Sequence, residues 1–563
     1  MRLGRTEHAI ASAVIIAAAV PQPGTAQLPD SSRKSDLDRA IAVPTAQLIR
    51  AHTRFLSDDL LGGRATGTRG AQLAATYIAA QFEAVGLAPA APDGSYFHRF
   101  PLSGIRSEPS IIVGVGTRTT ALAYPDEYVA RPLWPQANVT ADAEIVFAGY
   151  GISTPEWQWD DFGDAPVTGK ILMVLANDPG LTDWSRFEGR RLTYYGTSSY
   201  KLEQAARLGA VGVLLVHSEE SALVPWSAIQ NSWLAEQLLL PERPTETLRF
   251  AGWLSEGAAR RIVGAAGKNF DALVLKAQAR EFQPIPLGAH VVVHFQSTVR
   301  ATEGVNVVAK LAPRDAAQPA ESVVLMAHYD HLGVGRPVDG DSIYNGAIDN
   351  ASGVATLLAA GAGLARGRAP ERRSVVFLAT SGAESGFLGA RALVADGGMA
   401  LERIAALVNI DGANVAGVTR GAVAVGADLS TLGAYFDSAA RDEGLIVGDD
   451  PAPERGFFYR SDHLPFAEAG IPVLYLRSGH APPDSGGTGA REIEPGFVWE
   501  RYHQPSDELD AELSFEGAAQ QARLMIRLAS LLGRAREFPA WFPDAPYRPQ
   551  GERLRLRRAR GRP

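Results

Sequence analysis

The stretch Ala327-His328-Tyr329-Asp330-His331-Leu332-Gly333 sets an imidazole and a carboxylate two residues apart. Asp349 follows within Gly346-Ala347-Ile348-Asp349-Asn350-Ala351-Ser352-Gly353. A histidine with a carboxylate two places away suits a metal ligand and the group that orients its ring, because a ligating imidazole nearly always gives its other nitrogen to an outer acceptor. Further on, Glu384 lies in Thr380-Ser381-Gly382-Ala383-Glu384-Ser385-Gly386, Asp411 closes the run 404–411, and His503 sits in Tyr502-His503-Gln504-Pro505-Ser506-Asp507. Each residue alone is an ordinary polar loop position. The repetition is what points to chemistry: one apolar run after another ends in a potential ligand.

These runs supply the scaffold. Residues 322–326 (SVVLM) and 374–379 (SVVFLA) are short, β-branched and apolar, as buried strands are, and 404–410 reads the same way. Residues 353–360 (GVATLLAA) are a helical run just after Asp349. Open α/β sheets gather their ligands at the carboxyl ends of strands, so residues far apart in sequence can converge there.

The chain has 563 residues, is 46% hydrophobic, and carries a net charge of −8 with no cysteine. That length accommodates several domains. The mild acidity gives no reason to expect nucleic acid as a partner. Without cysteine there are no disulfides and no thiolate ligands, so any zinc must be held by nitrogen and oxygen. Residues 1–26 read as a secretory signal: Arg2 and Arg5, an apolar run over 9–20, the breakers Pro21, Pro23 and Gly24, then small residues to Ala26. The run is too short to span a bilayer. The expectation is an exported protein, periplasmic or secreted, with no membrane segment once the signal is removed. Nothing in the sequence fixes an oligomeric state.

The motifs around His328, Asp349, Glu384, Asp411 and His503 resemble those of the zinc aminopeptidases with two co-catalytic metals, the family that also holds glutamate carboxypeptidases, glutaminyl cyclases and the transferrin receptor ectodomain. The resemblance implies an α/β fold with a central mixed β-sheet flanked by helices, two Zn2+ ions and a peptide substrate. One zinc would be held by Asp349, Glu384 and His503, the other by His328, Asp349 and Asp411, with Asp349 bridging. Asp330 would orient His328. Asn350, Ser461, Asp462, His463 and Tyr502 would form the outer shell or the substrate wall, and the Asp349–Asn350 peptide would be cis. The three carboxylates leave a net positive charge beside two divalent ions.

The resemblance also exposes a departure. The family places two consecutive glutamates here, the first a general base and the second a ligand, whereas this chain reads Ala383-Glu384. The alignment from Phe377 to Gly389 needs no gap, so the base is missing. Either a glutamate has been replaced by alanine in an active peptidase, or the base was lost naturally; the intact remainder favours replacement. The alternatives to an aminopeptidase are a natural zinc-binding pseudo-peptidase acting as a binding protein, or a carboxypeptidase- or dipeptidase-like relative. The last needs a cationic patch for a substrate carboxylate, for which Arg460 is the nearby candidate.

Along the chain, 27–137 reads as the first part of the peptidase domain, with a helical pattern over 70–85 and Arg64 in a Gly-rich turn as a structural residue. Residues 138–298 change texture to short apolar runs between Gly, Pro and Asp, and resemble the protease-associated domain, a β-rich insertion; His217 there reads as structural. The peptidase domain resumes over 299–537. It includes a Gly/Pro-rich stretch between His480 and Tyr502, with Glu492, Glu494 and Glu500, which reads as a lid. Residues 538–563, rich in arginine, read as a partly disordered tail.

Overall fold

The computed structural model describes residues 31–241, 247–315, 321–367, 372–479 and 493–560. The expected signal segment 1–26, Glu492 with most of the expected lid, and the last three residues of the tail lie outside the described residues.

The frame is one mixed sheet of 16 strands. The strands that matter here are β1 (Phe97–Val115), β2 (Asn138–Phe147), β3 (Ile171–Leu175), β4 (Gly212–His217), β5 (Phe250–Ser255), β6 (Ile285–Leu311), β7 (Ser322–His328), β8 (Ser374–Thr380), β9 (Ile404–Ile410), β10 (Gly421–Val425) and β11 (Val473–Gly479). Across the sheet they run β10-β11-β9-β7-β8-β6-β2-β3-β4-β5. β8, β7, β9 and β11 are mutually parallel. So are β2, β3, β4 and β5.

β6 joins these two parallel halves. It pairs antiparallel with β8 on one side and with β2 and β1 elsewhere along its 27 residues. Its composition changes as its surroundings change. Residues 286–297 alternate buried and exposed, the period of a strand with one wet face, whereas 304–309 are almost wholly buried, as expected of a strand covered on both sides. The boundary expected near residue 298 therefore falls inside an unbroken strand.

Helices cover both faces of the β7–β9 half, as parallel strands require. On one face lie α1 (Ala46–Leu56), α2 (Arg69–Ala84), α4 (Gly353–Gly367) and α5 (Glu516–Arg534); α3 (Trp226–Leu234) belongs to the other half of the sheet. Every residue of β7, β8 and β9 is buried. In residues 138–284 strands alternate with helices at Ser198–Arg207, Trp226–Leu234, Glu256–Ala265 and Phe270–Ala277. That segment is layered α/β and more helical than its β-rich texture suggested. The Gly/Pro-rich stretch likewise contains a helix, Ile493–Glu500.

The arginine-rich tail departs from expectation. It forms α6 (Arg548–Arg560), whose single deeply buried side chain is Leu554. Leu554 joins an apolar cluster that includes Trp541, Tyr547 and Ile471, and the Arg558 Nε–H donates to the Glu402 carbonyl at 2.7 Å. One leucine in register with two upstream aromatics anchors a helix that composition alone marks as solvated. No described helix is long and apolar enough to cross a membrane.

Candidate metal centre

Three strand ends and two loops converge. His328 is the last residue of β7, Asp411 follows β9 directly, and Glu384 lies four residues beyond β8. Asp349 sits in an irregular turn, Ala347–Ser352, that feeds α4, and its peptide bond to Asn350 is cis, as expected. His503 lies in the turn after Ile493–Glu500. These are the five residues expected as ligands, and all five meet.

The spacing can be compared with what zinc requires. A tetrahedral ion with bonds of about 2.0–2.1 Å keeps its ligand atoms about 3.3 Å apart. His328 Nε2 lies 3.4 Å from Asp349 Oδ1 and 3.0 Å from Asp411 Oδ1. His503 Nε2 lies 3.5 Å from Asp349 Oδ2 and 3.2 Å from Glu384 Oε2. Asp349 thus turns one oxygen to each group, as a bridging carboxylate does. His503 Nε2 is fully buried without a hydrogen-bond partner despite these near neighbours. A buried donor or acceptor left unpaired is costly, and a cation among these atoms would satisfy it. The donor set fits zinc.

The histidine tautomers suit this role. The Ser232 hydroxyl donates to the Ala228 carbonyl at 2.7 Å, so its contact with His503 Nδ1 at 2.6 Å has the ring N–H donating to the hydroxyl oxygen. That leaves the Nε2 lone pair facing Asp349 and Glu384. His328 Nδ1 faces the Asp330 carbonyl oxygen at 3.2 Å, an acceptor only, so its Nε2 is likewise directed at the carboxylates. The Asp330 carboxylate is farther from that nitrogen, at 3.7 Å, and accepts instead from the Ala383 backbone N–H at 3.2 Å. Asp330 therefore meets His328 most closely through its main chain, while its side chain fixes the Ala383 loop.

The carboxylates and imidazoles of the cluster bias one another's ionisation. Burial presses His328 towards neutrality, yet Asp411, Asp330 and Asp349 raise its pKa well above the usual imidazole range. Burial acts likewise on His503, whose pKa Tyr502, Glu384 and Asp349 raise. Burial favours a neutral Glu384, but His503 and His331 hold it down to about 2 against the opposing charge of Asp349. Asp349 is held well below its ordinary value against the same burial by His328 and His503. The carboxylates around these imidazoles favour positive charge at the centre of the cluster, as a metal site does.

The surrounding residues explain how so many charges stay in register. Arg64, 1% exposed, reaches in from the turn between α1 and α2. It donates to the carbonyls of Tyr329 at 2.8 Å, Gly346 at 2.9 Å, Asn345 at 2.5 Å and Leu56. It thus ties the β7 loop to the Asp349 turn and has the structural role expected of it. Asp507 accepts from the backbone N–H groups of Ile348 and Asp349 at 2.9 and 3.0 Å. Asn350 donates to the Ile410 carbonyl and accepts from Gly412 N–H, linking the same turn to the end of β9. Asn409 donates to Ser461 Oγ at 2.8 Å and to His463 Nδ1 at 3.3 Å. Asp462 is buried beside this group with neither carboxyl oxygen bonded, and burial raises its pKa to about 8. Tyr502 stacks on His503 at 3.8 Å between ring centroids.

Two further residues had no role in the sequence reading. His331 Nδ1 lies 2.8 Å from Glu384 Oε1, and with Asp349 and Glu384 it makes a second possible triad next to that of His328, Asp349 and Asp411. The sequence shows His331 beside His328, but spacing cannot say which of two adjacent imidazoles turns inward. Ser232 comes from α3, 271 positions away. Asn231 Nδ2 also donates to the His503 carbonyl at 2.8 Å, which holds His503 in the left-handed backbone region at φ 56. A side chain with a Cβ pays to sit there, and the α3 contacts stabilise it.

A cavity of about 210 Å³ opens over the cluster. Its lining includes His328, Asp349, Ala383, Glu384 and Asp411, with Phe387, Tyr475, Phe497 and Tyr502 as apolar and aromatic wall. Ala383 presents a methyl group where a carboxylate would adjoin this space.

Comparison with known proteins agrees with the architecture. No curated protein matches the sequence. Among solved structures, the aminopeptidase from Aneurinibacillus sp. strain AM-1 is similar at 18% identity over 89% of this chain and 97% of that one, with a TM-score of 0.51. A peptidase M28 precursor from Shewanella amazonensis aligns at 18% identity over 91% and 99%, TM-score 0.49. A zinc aminopeptidase from Bacillus subtilis aligns at 18% identity over 87% and 95%, TM-score 0.46. The first likeness shows a shared fold. Residues 306–529, which carry β7 to β11 and all the converging side chains, match peptidase family M28, and the segment that holds this centre is a peptidase M28 domain.

Proposed function

We propose that the chain is a zinc-dependent exopeptidase of the aminopeptidase type, acting on peptides at a two-zinc centre. The observation that carries this reading is Asp349, whose two oxygens face His328 and His503 from opposite sides of one buried cluster. Asp349, Glu384 and His503 would hold one ion, and His328, Asp349 and Asp411 the other, with His331 an outer partner of Glu384. Zinc, when bound, polarises a scissile carbonyl and lowers the pKa of water to near neutrality. The chain's own residues then have distinct tasks. Ser232 keeps the His503 lone pair on Nε2, Asp330 holds the Ala383 loop, and the aromatic wall excludes bulk water from the peptide.

Ala383 bears on turnover. A methyl cannot take a proton, and general-base catalysis typically contributes about 10²–10⁴-fold. The chain as it stands is therefore read as an inactivated or weakly active peptidase, and the same alanine supports a second reading, a zinc-binding pseudo-peptidase. Further proposals follow from the sequence: an N-terminal signal over 1–26 with export, a peptidase domain built from 27–137 and 299–537, and an inserted unit over 138–298 related to protease-associated domains. The contact of α3 with His503 supports a role for that unit in completing the site.

Metal analysis and hydrolysis of aminoacyl-nitroanilides, on the chain and on Ala383→Glu, test the reading. The expected result is two zinc ions per chain in both and a kcat gain of about 10²–10⁴ in the variant. Full activity in the chain with no gain would place the base elsewhere. No zinc in either protein would overturn the metal centre itself.

A further inference from the structure

Glu384 sits in a loop that closes on itself. The Gly389 N–H donates to the Ser381 carbonyl at 2.9 Å, and inside that closure the Leu388 N–H donates to the Gly382 carbonyl at 2.9 Å. The side chain of Asn306, a fully buried residue of β6, completes the neck of this loop. Its Oδ1 accepts from the Ser381 N–H at 3.1 Å, and its Nδ2 donates to the Gly389 carbonyl at 2.9 Å. One side-chain amide thus pairs with both residues that close the loop, as a neighbouring peptide group would. The approach is so close that a Cβ on Gly389 would collide with Asn306 Oδ1, which accounts for the glycine.

Asn306 is held in turn. Directly opposite it in the ladder between β1 and β6 is His98, which is buried and stacked on Phe100. Asn306 Nδ2 lies 3.0 Å from His98 Nδ1, and His98 Nε2 lies 2.8 Å from Asp396 Oδ2. A carboxylate only accepts, so Nε2 carries the ring proton and Nδ1 turns its lone pair to the amide. Asp396 ends the helix Leu388–Ala395 that the loop feeds, and its other oxygen accepts from the Gly398 N–H at 2.7 Å. These bonds permit one arrangement. Turning the Asn306 amide over would set donor against donor at Ser381 and acceptor against acceptor at Gly389. Moving the ring proton to Nδ1 would set donor against donor at Asn306.

We propose that Asp396, His98 and Asn306 are positioning residues for Glu384: they hold the neck of its loop through a chain of hydrogen bonds whose direction the His98 tautomer sets. The proposal rests on the reading of Glu384 as a zinc ligand. The loop has other supports, Asp330 at the Ala383 N–H, Thr66 at the Ser381 hydroxyl and His331 at Glu384 itself. Asn306 differs from these in gripping both ends of the loop at once. None of the three proposed residues lines the cavity over the cluster, so they act through the loop.

Competitive chelator titration of the zinc-loaded full chain tests this, with Glu384→Ala identifying the ion that this ligand holds. His98→Gln keeps a donor towards Asp396 but removes the acceptor that faces Asn306. It should weaken that same ion by about 10–100-fold, the usual range for an outer partner, and leave the other ion unchanged. His98→Asn puts an oxygen where Nδ1 stood and should recover most of the loss, whereas a role in packing alone would favour the larger glutamine. In the Glu384→Ala background, His98→Gln should cost the remaining ion nothing, because the coupling passes through Glu384. Should His98→Gln fail to fold, Asp396→Ala, at the exposed end of the chain of bonds, carries the test with a smaller loss of the same ion. An equal loss of both ions, no loss of either, or tighter binding by His98→Gln than by His98→Asn would overturn the positioning role while keeping the metal centre. An unaltered chain that binds no zinc would overturn the centre and this proposal with it.

Discussion

Two regions of the molecule bury charge at the ends of parallel strands, and they settle it in opposite ways. In the 138–284 segment, Asp178 accepts from Gly180 N–H, Thr193 N–H and the Thr193 hydroxyl. Asp161 accepts from Ile152 N–H and the Trp159 indole. Lys201 donates to the carbonyls of Tyr150 and Asn177, and His217 meets the Val224 carbonyl. Each of these groups finds its partners within the chain. In and beside the Asp349 cluster three imidazoles behave differently. The Nε2 atoms of His331, His463 and His503 are buried and unpartnered, and so are both oxygens of Asp462. Buried charge by itself is therefore no sign of a functional site; buried charge left incomplete by the protein is.

The comparison is tested most severely at Asp349. Asp349→Asn should lose zinc affinity by more than the 10–100-fold that an outer partner usually commands, because in the proposed centre both ions would share this carboxylate. Zinc should raise the melting temperature of the unaltered chain, since a ligand bound a thousandfold above its Kd adds about 4 kcal/mol. The variant should show no such rise. A zinc-dependent shift that survives Asp349→Asn would break the distinction between the regions.

Asp178→Ala is the matching experiment in the self-sufficient region. It strands three donors around a site that no solvent reaches, at about 1–3 kcal/mol for each group left unsatisfied, less whatever relaxation recovers. A net loss of about 3 kcal/mol is expected in denaturant unfolding. The zinc-dependent increment should be unchanged, because nothing in that network waits for an ion.

Legibility in the sequence divides along the same line. The strands β7, β8 and β9 were readable because continuous apolar runs bounded by Gly and polar residues have few other uses. Of the five side chains that converge, His328, Glu384 and Asp411 were readable because they follow such runs, whereas Asp349 and His503 lie in loops and were legible only through the family motifs they resemble. Ser232 was not readable, since its function is a hydrogen bond across 271 positions and a serine on a helix has many ordinary uses. Asp507 was quoted in its motif without a role, because nothing local shows that it caps the backbone of Ile348 and Asp349. The tail was misread for the opposite reason. Composition averages over a segment, and a single Leu554 buried in the same apolar cluster as Trp541 and Tyr547 is invisible to an average.

Ser232 joins the two regions and gives an intermediate effect. Removing its hydroxyl leaves His503 Nδ1 without an acceptor and frees the ring to rotate or change tautomer. Ser232→Ala should weaken zinc by about 10–100-fold, the usual range for an outer-shell partner, with Ser232→Thr closer to the parent. The measurement is a competitive chelator titration. An unaltered affinity would mean that the backbone contact from Asn231 positions His503 unaided.

The smallest effect concerns a histidine that is complete without any ion. His52 is buried between α1 and α2, where its Nδ1 lies 2.8 Å from the Tyr77 hydroxyl, and burial lowers its pKa from 6.5 to about 4. The unfolded chain therefore binds this proton before the folded chain does, so stability rises with pH wherever only the unfolded state is protonated. The contribution is full above about pH 6.5 and is lost as pH falls towards 4. Since one pKa unit is worth about 1.4 kcal/mol, a loss of about 1–2 kcal/mol across that window is expected, allowing for partial relaxation. His52→Gln keeps a hydrogen-bonding partner for Tyr77 and should flatten this part of the acid slope. The two slopes should differ equally with and without zinc. A difference seen only in the metal-free protein would mean that the acid sensitivity belongs to the imidazoles around Asp349, and that His52 is not insulated from the centre.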